Sequence, residues 1–163
     1  MISRGLMNGY GDGTFGPDDT LSRAMLAQIL YNVSGGIPVN YLLQYDDVPA
    51  EIWYTEAVRW VTGEGVVSGY GNGKFGPDDS ITREQLAVML YRYEQSRGGG
   101  FTGDWMFQLD YSDVADVSDW AYEAMCRCSM NDIVEGKGDG ILDPKGQAAR
   151  AEAAAMLMRF LSR

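Results

Sequence analysis

Histidine is absent from this chain of 163 residues. Its absence excludes serine-histidine-aspartate triads, acid–base catalysis by imidazole and histidine-ligated metal sites. Cysteine is almost as scarce, since only Cys126 and Cys128 are present. Two cysteines do not make a disulfide framework, and a lone C-x-C pair is a weak metal signal. We expect both cysteines to be packing residues on different faces of one helix.

Long apolar runs are also missing, and no stretch of about 18 residues is apolar enough to predict a transmembrane helix. Basic residues are few: 13 Lys and Arg face 23 Asp and Glu, which gives a net charge of −10. This balance argues against nucleic acid and anionic membranes as partners, because both need a basic surface. The first residues lack the apolar core and cleavage site of a signal peptide, and we expect a fragment excised from a longer protein.

Glycine is abundant by contrast, with 21 residues, and its placement follows an internal repeat. Residues 8–31 and 68–91 are identical at 14 of 24 positions, with an offset of 60 residues. A weaker third copy at 135–158 matches the second at 8 of 24 positions, with an offset of 67. The glycine excess therefore reflects a repeated turn and not disorder.

A second pattern, Asp-Val followed by a helical run of apolar residues, precedes two of these copies, at 45–67 and 111–134. Each full unit is therefore predicted to form a helix, a glycine-rich loop and a second helix. We expect three units that together make one compact domain. They span residues 1–34 (a partial unit), 45–95 and 111–163.

In the middle unit, the sequence predicts the cap and the apolar face of the first helix and the anchor of the glycine loop. Asp47 is predicted to cap the first helix. Helical spacing predicts the apolar face of that helix, which consists of Trp53, Ala57, Trp60 and Val61. Phe75, at the end of the glycine loop, is expected to anchor the loop in the core.

The second helix is predicted to begin at Thr82, which forms a capping box with Gln85. Arg83 needs another explanation, since a cation in the first turn opposes the helix dipole by about 0.3–1 kcal/mol. The same arginine recurs as Arg23 and Arg150. Two interpretations stay open: the arginine bridges a neighbouring carboxylate, or it faces an anionic ligand beside exposed helix-end amides.

These motifs resemble the S-layer homology (SLH) domain. Its typical unit has an Asp-Val and Trp-bearing first helix, a Gly-Tyr-x-Asp-Gly-x-Phe-x-Pro loop and a second helix opened by Thr-Arg-Ala-Glu. The matching segments are Asp47-Val48 with Trp53, Gly69 to Pro77 and Thr82 to Gln85; Asp113-Val114 with Trp120, Gly136 to Pro144 and Ala149 to Glu152; and Gly9 to Pro17 and Ser22 to Met25. The resemblance implies an all-α pseudo-threefold bundle, a three-pronged spindle with grooves between the units.

The resemblance also implies a function, which is non-covalent anchoring at the surface of a bacterium, especially a Gram-positive one. Grooves of this family bind secondary cell-wall polysaccharide, often capped by pyruvylated sugars. A pyruvate ketal carries a carboxylate that suits arginine, and sugar rings suit an aromatic platform. The groove around Arg83 is expected to be the most intact, because the other copies have lost more of the family motif. The expected ligand-binding residues are Arg83 first, Arg150 and Arg23 more weakly, then Trp53, Trp120, Asp47, Asp113, Thr82, Gly71 and Gly73.

Other functions compete with this hypothesis. The Asp-rich loops suggest calcium, but a calcium loop has an acid at position 12, where Arg23 and Arg150 stand. We therefore predict no metal and no cofactor. Paired carboxylates could hydrolyse glycosides, but turns and caps explain the acidic residues, so no enzyme is predicted. Exposed aromatics could instead serve protein–protein assembly within a surface layer.

Truncation of the first unit has a structural consequence. Its second helix would lack the first helix as a partner and would expose apolar surface. We expect a second copy of the chain to cover that surface, which predicts a homodimer through the truncated first unit.

Overall fold

The computed structural model describes residue 16 and residues 18–39, 45–101 and 106–162. Five α-helices lie in these ranges: α1 (Arg23–Val33), α2 (Thr55–Gly63), α3 (Arg83–Ser96), α4 (Asp119–Met130) and α5 (Arg150–Ser162). A 3-10 turn at Val114–Asp116 precedes α4. The described residues form no strand beyond three isolated bridges, which confirms the all-α prediction. None of the helices in these ranges is long and apolar enough to cross a membrane.

The residues just before α1, α3 and α5 meet on a pseudo-threefold axis. Leu21 N donates to Ala148 O (2.9 Å), Ile81 N donates to Leu21 O (3.0 Å), and Ala148 N donates to Ile81 O (2.9 Å). These three bonds close a ring, and all three side chains are fully buried. The partial first unit therefore contributes to the axis in the same way as the two full units.

The first turn of each of these helices is bonded to the neighbouring unit. The first amides donate to carbonyls across the unit boundaries: Arg23 N to Asp79 O (2.9 Å), Arg83 N to Gly146 O (2.8 Å) and Arg150 N to Asp19 O (2.8 Å). The second amides of α1 and α3 do the same, with Pro77 and Pro144 as acceptors. The expectation of exposed helix-end amides beside the arginines is therefore wrong, because protein carbonyls already satisfy them.

The first helix of each full unit packs against the second helix of the preceding unit. α2 lies along α1, and α4 lies along α3. The expectation that the second helix of the first unit lacks a partner is therefore wrong, since α2 of the middle unit covers α1. The uncovered helix is α5, along which no helix of the described ranges packs in this way.

An apolar stripe is consequently exposed on α5. Met158 is 57% exposed, and Ala154 and Leu161 are partly exposed. The repeat offset equates these three with residues of α3 that are buried where α4 packs, namely Ala87, Tyr91 and Glu94. The stripe on α5 is thus a helix-docking face without a helix among the described residues.

The predicted apolar face of the first helix is correct except for Trp53. Its other members are all buried in α2: Ala57, Trp60 and Val61. Trp53 lies before the helix begins and is 59% exposed. The loop anchor Phe75 is fully buried, as predicted.

Candidate functional site

Arg23 lies in the first turn of α1, but its side chain is held by the glycine loop of the middle unit. Its Nε donates to the carbonyl of Phe75 (2.8 Å), and its Nη2 donates to the carbonyl of Ser68 (2.7 Å). The guanidinium also lies over the rings of Tyr70 (4.7 Å to the ring centre) and Phe75 (4.8 Å). The loop thus fixes the arginine, and Nη1 has no hydrogen-bond partner among the described residues.

The surroundings of Arg23 leave its positive charge poorly solvated. Burial lowers the pKa of Arg23, while the nearby Tyr70 and Asp79 act in the opposite direction. A guanidinium stays protonated in such a site because its intrinsic pKa lies far above neutral pH. A desolvated cation interacts with an anion more strongly than a cation in open water does.

A groove of about 310 Å³ opens beside this arginine. Arg23 comes from the first unit, Tyr70 and Arg92 come from the loop and α3 of the middle unit, and Trp120 comes from α4 of the third. Two cations, Arg23 and Arg92, line the groove, and no carboxylate of the described residues lines it. The Arg23 groove, as we name it, is therefore a cationic surface in a chain of net charge −10.

Aromatic side chains form walls of the Arg23 groove. Trp120 is 58% exposed. The Tyr70 hydroxyl donates to Oδ2 of Asp79 (2.7 Å), and burial together with this bond raises the pKa of Tyr70. A neutral phenol and an indole present flat faces of the kind that sugar rings contact. The Arg23 groove therefore places cationic groups and exposed ring faces side by side.

Arg83 occupies the same position one unit later, beside a groove of about 230 Å³ that we name the Arg83 groove. Its Nε donates to Leu142 O (3.0 Å) and its Nη2 donates to Glu135 O (2.7 Å), which repeats the contacts of Arg23. Its Nη1, however, is bonded to the carboxylate of Glu152. Of the two interpretations that the sequence leaves open, the bridge to a neighbouring carboxylate is the one seen for Arg83. This ion pair argues against the expectation that the Arg83 groove is the most intact.

Arg150 is buried at the start of α5. Its Nη1 lies 3.4 Å from Sδ of Met25 on α1, so that this arginine joins the third unit to the first. The corresponding loop of the first unit, Gly9 to Pro17, lies outside the described residues except for Gly16. Trp53, the repeat counterpart of Trp120, is exposed.

The prediction that Asp47 caps the first helix is wrong. Its carboxylate accepts hydrogen bonds from the amides of Phe75 (2.9 Å) and Gly76 (2.8 Å), and the N-cap of α2 is Tyr54. Burial raises the pKa of Asp47, but the amides of Phe75 and Gly76, its own amide and the charge of Lys74 together lower it by more, so that its pKa is below the usual value. Asp47 thus ties the end of the glycine loop to the segment before α2.

Asp113 has the same role in the third unit. Its carboxylate accepts hydrogen bonds from the amides of Leu142 (2.9 Å) and Asp143 (2.8 Å). The bond from Leu142 is the main reason why the pKa of Asp113 is below its usual value. Both aspartates therefore act on loop conformation, and neither lines the Arg23 groove or the Arg83 groove.

Thr82 forms the predicted capping box. Its Oγ1 accepts a bond from Gln85 N (3.2 Å), and its own amide donates to Oε1 of Gln85 (2.9 Å). Gly71 and Gly73 lie in an exposed turn with φ of 85° and 81°, a region that favours glycine. These two glycines do not line the Arg23 groove, whose loop side is formed by residues 67–70.

Arg92 and Tyr70 are the groove residues that sequence reasoning missed. Both lie at repeated positions, because Arg92 corresponds to Arg159 in the third copy and Tyr70 corresponds to Tyr10 in the first. Arg92 is exposed on α3. Its position nine residues after Arg83, matched by Arg159 after Arg150, is the signal that could have found it.

In the described part of the chain, no group of three or more Cys, Asp or Glu residues is arranged to hold a metal ion. Cys126 and Cys128 are both buried as thiols, which confirms that they are packing residues. Burial raises the pKa of the Cys126 thiol, so this group is a poor metal ligand at neutral pH.

The family model of the S-layer homology domain matches residues 1–25, 44–87 and 110–154. The chain is similar to an amylopullulanase of Thermoanaerobacterium thermosulfurigenes (29% identity over all of this chain and 9% of that protein). It is also similar to a cellulosome-anchoring protein of Acetivibrio thermocellus (28% identity over 96% of this chain and 35% of that protein). A surface-layer 125 kDa protein of Lysinibacillus sphaericus is 25% identical over 99% of this chain and 13% of its own length. The chain therefore spans a minor part of these relatives, and the enzyme among them matches only through this repeat region.

Proposed function

The chain belongs to the S-layer homology domain family, and we propose that it holds a protein at the bacterial cell surface by binding an anionic cell-wall polysaccharide. Members of this family are non-catalytic anchoring modules of cell-surface and S-layer proteins of Gram-positive bacteria. The polysaccharide as the anchor point, and a pyruvate ketal as its acidic group, are the proposed refinements.

One observation supports this proposal above the others: the Arg23 groove joins two cations to exposed aromatic walls and has no carboxylate in its described lining. We assign the acidic group of the ligand to Arg23 and Arg92, and a sugar ring to Trp120 and Tyr70. Charge-assisted bonds to a carboxylate are shorter and stronger than neutral ones. Stacking of the ring would add contact area without further charge.

The remaining predicted residues take other roles in this proposal. Asp47 and Asp113 hold the loops, and Thr82 holds the start of α3. Arg150 contacts Met25 of α1, and Trp53 is exposed before α2; neither lines the Arg23 groove. Gly71 and Gly73 shape the turn beyond the Arg23 groove.

The net charge of −10 makes the attraction local. Salt screens exposed charges over about 8–10 Å at physiological ionic strength. Salt therefore weakens the repulsion between distant carboxylates and an anionic ligand more than it weakens the contact between a bound acid and Arg23. We infer that the polysaccharide binds through this groove against an unfavourable overall field.

Removing the ring of Trp120 is expected to weaken polysaccharide binding. Trp120→Ala should lower the affinity for purified wall polysaccharide by about tenfold, because an exposed ring platform is lost. Removing pyruvyl groups from the polysaccharide should also lower its affinity for the wild-type protein, because Arg23 and Arg92 lose the carboxylate that they bind. Binding is measured by co-sedimentation and by titration calorimetry.

The matched control is Tyr122→Ala, which removes an exposed aromatic of the same helix that does not line the groove. It should bind like the wild type. Unchanged binding by Trp120→Ala, with native circular dichroism, would contradict the groove assignment. Equal binding of pyruvylated and depyruvylated polysaccharide would contradict the ketal as the acidic group.

A second proposal, self-assembly, is favoured by the apolar stripe on α5. The equivalent stripes of α1 and α3 receive α2 and α4. We propose that a second copy of the chain covers the stripe, in place of the homodimer through the first unit. Exposed apolar surface of this kind is typical of an interface.

Met158→Glu should abolish this self-association, since it places a charge in the centre of the stripe. Sedimentation velocity of the wild type is expected to give a dimer at high protein concentration, and Met158→Glu a monomer. Met106→Glu is the control, because Met106 is 96% exposed outside α5. A wild type that remains a monomer of 18.0 kDa at every concentration would refute the proposal.

A further inference from the structure

We propose that Glu152 acts as an internal substitute for a ligand carboxylate and closes the Arg83 groove to acidic sugars. This inference rests on the proposed function of the Arg23 groove. It assigns to one side chain the occupation of Arg83, the arginine that corresponds to Arg23. The chain then binds an acidic sugar in the Arg23 groove, and the Arg83 groove is occupied by the protein itself.

The two grooves differ at the third residue of the helix that faces each arginine, which is α3 for Arg23 and α5 for Arg83. The repeat offset equates Gln85 of α3, which lines the Arg23 groove, with Glu152 of α5, which lines the Arg83 groove. Gln85 is uncharged, and its side-chain oxygen is engaged by the amide of Thr82 in the capping box. It therefore leaves Nη1 of Arg23 without a described partner.

Glu152 has a different surrounding because the residue before α5 is Ala149. Alanine has no side-chain oxygen, so α5 cannot form the reciprocal capping box that holds Gln85 back. Glu152 instead reaches Nη1 of Arg83 in the middle unit. Charged donor and charged acceptor make this one of the stronger hydrogen bonds available to a protein.

Every nitrogen of the Arg83 guanidinium already has a protein partner. Nε is bonded to Leu142 O, Nη2 to Glu135 O and Nη1 to the carboxylate of Glu152. The other two cations of the groove are also paired. Lys137 lies 2.8 Å from the Asp143 carboxylate, and Arg159 lies 3.4 Å from the Glu135 carboxylate.

The aromatic part of the site is also missing from the Arg83 groove. Lys137 and Leu142 stand where the middle unit has Tyr70 and Phe75. The ring faces that lie against the guanidinium of Arg23 therefore have no counterpart beside Arg83. The carboxylate of Glu152 is the contact that satisfies Arg83 in their place.

Substitution of Glu152 tests this inference directly. The probe is a methyl hexopyranoside that carries a 4,6-pyruvate ketal, and the control sugar lacks the ketal. Nε–H signals of Arg23 and Arg83, and the indole signal of Trp120, are followed by NMR in the ¹⁵N-labelled full chain. In the wild type, the probe should shift the Arg23 and Trp120 signals, and the Arg83 signal should stay unchanged.

Glu152→Gln should make the Arg83 signal respond to the probe, with an affinity at least tenfold higher than in the wild type. Glu152→Ala should have the same effect. It is included because a glutamine at position 152 can still accept a hydrogen bond from Arg83, whereas an alanine cannot. The matched control is Glu135→Gln, which removes a charge from the same groove but leaves Glu152 on Arg83. It should leave the Arg83 signal silent.

The outcomes separate this inference from the proposed function. An Arg83 signal that responds in the wild type as strongly as in Glu152→Gln would overturn the role of Glu152. The same conclusion would follow if the probe left the Arg83 signal unchanged in both Glu152 variants while it shifted the Arg23 signal. An Arg23 signal that the probe leaves unchanged in the wild type would refute the proposed function. The inference would then stand only if the probe shifted the Arg83 signal in the Glu152 variants.

Discussion

Replacing Asp47 with alanine is expected to lower the free energy of unfolding by about 2–3 kcal/mol and the melting temperature by roughly 5–10 °C. The carboxylate accepts bonds from two consecutive amides, those of Phe75 and Gly76, at 2.9 and 2.8 Å. Alanine leaves both amides without their partner, and Phe75 loses the clamp that holds its ring in the core. Thermal and urea unfolding followed by circular dichroism measure the effect.

Asp46→Ala is the matched control, since it removes the adjacent carboxylate. Asp46 is 76% exposed and lies 4.0 Å from Lys74, a distance at which an exposed pair contributes little. The change in stability should stay within about 0.5 kcal/mol. Equal destabilisation by the two alanines would show that the clamp is not what Asp47 contributes.

Acid should weaken the same clamps. The pKa values of Asp47 and Asp113 are lower in the folded protein than in the unfolded chain. Their contribution to stability is therefore complete above the unfolded value of about 3.9 and is lost as the pH falls through the folded values. The double variant Asp47→Asn, Asp113→Asn should show a flatter loss of stability below about pH 4 than the wild type.

The fold follows from the sequence where the relevant contacts are local. The capping box of Thr82 and Gln85 is encoded within four residues, and the apolar face of α2 within five. Asp47 was misjudged because its partners lie 28 and 29 residues away. A carboxylate before a helix satisfies the pattern of a cap equally well, and only the folded loop shows where the carboxylate binds.

The site could be predicted in part, because repeats identify equivalent residues without showing which units touch. Arg23, Arg83 and Arg150 were recognised as one position from their spacing. Their side chains, however, contact the following unit around the axis, so the intact loop of the middle unit serves Arg23 and not Arg83. Comparison of motifs within one unit therefore pairs each arginine with the loop of its own unit, whereas the structure pairs Arg23 and Arg83 with the loop of the following unit.

The largest effect on binding is expected from Arg23→Gln, which should lower the affinity for wall polysaccharide by about ten- to a hundredfold. Arg83→Gln should leave that affinity within about threefold of the wild type, because Arg83 is already paired with Glu152. Both variants lose bonds to two loop carbonyls, so each should lose about 1–3 kcal/mol of stability. Calorimetric titration and thermal unfolding of the same samples separate the two effects.

This pair controls for general damage to the fold, because each arginine donates to two loop carbonyls. The two differ in the partner of Nη1 and in the two rings that lie against Arg23. If loss of binding came from general destabilisation of the fold, both variants would bind poorly in proportion to their loss of stability. If Arg83→Gln alone lost binding, the ranking derived from the sequence would be restored and the Arg23 groove would not be the ligand site. Loss in Arg23→Gln alone, at matched stability, is the result expected from a contact between Arg23 and the polysaccharide that Arg83 does not make.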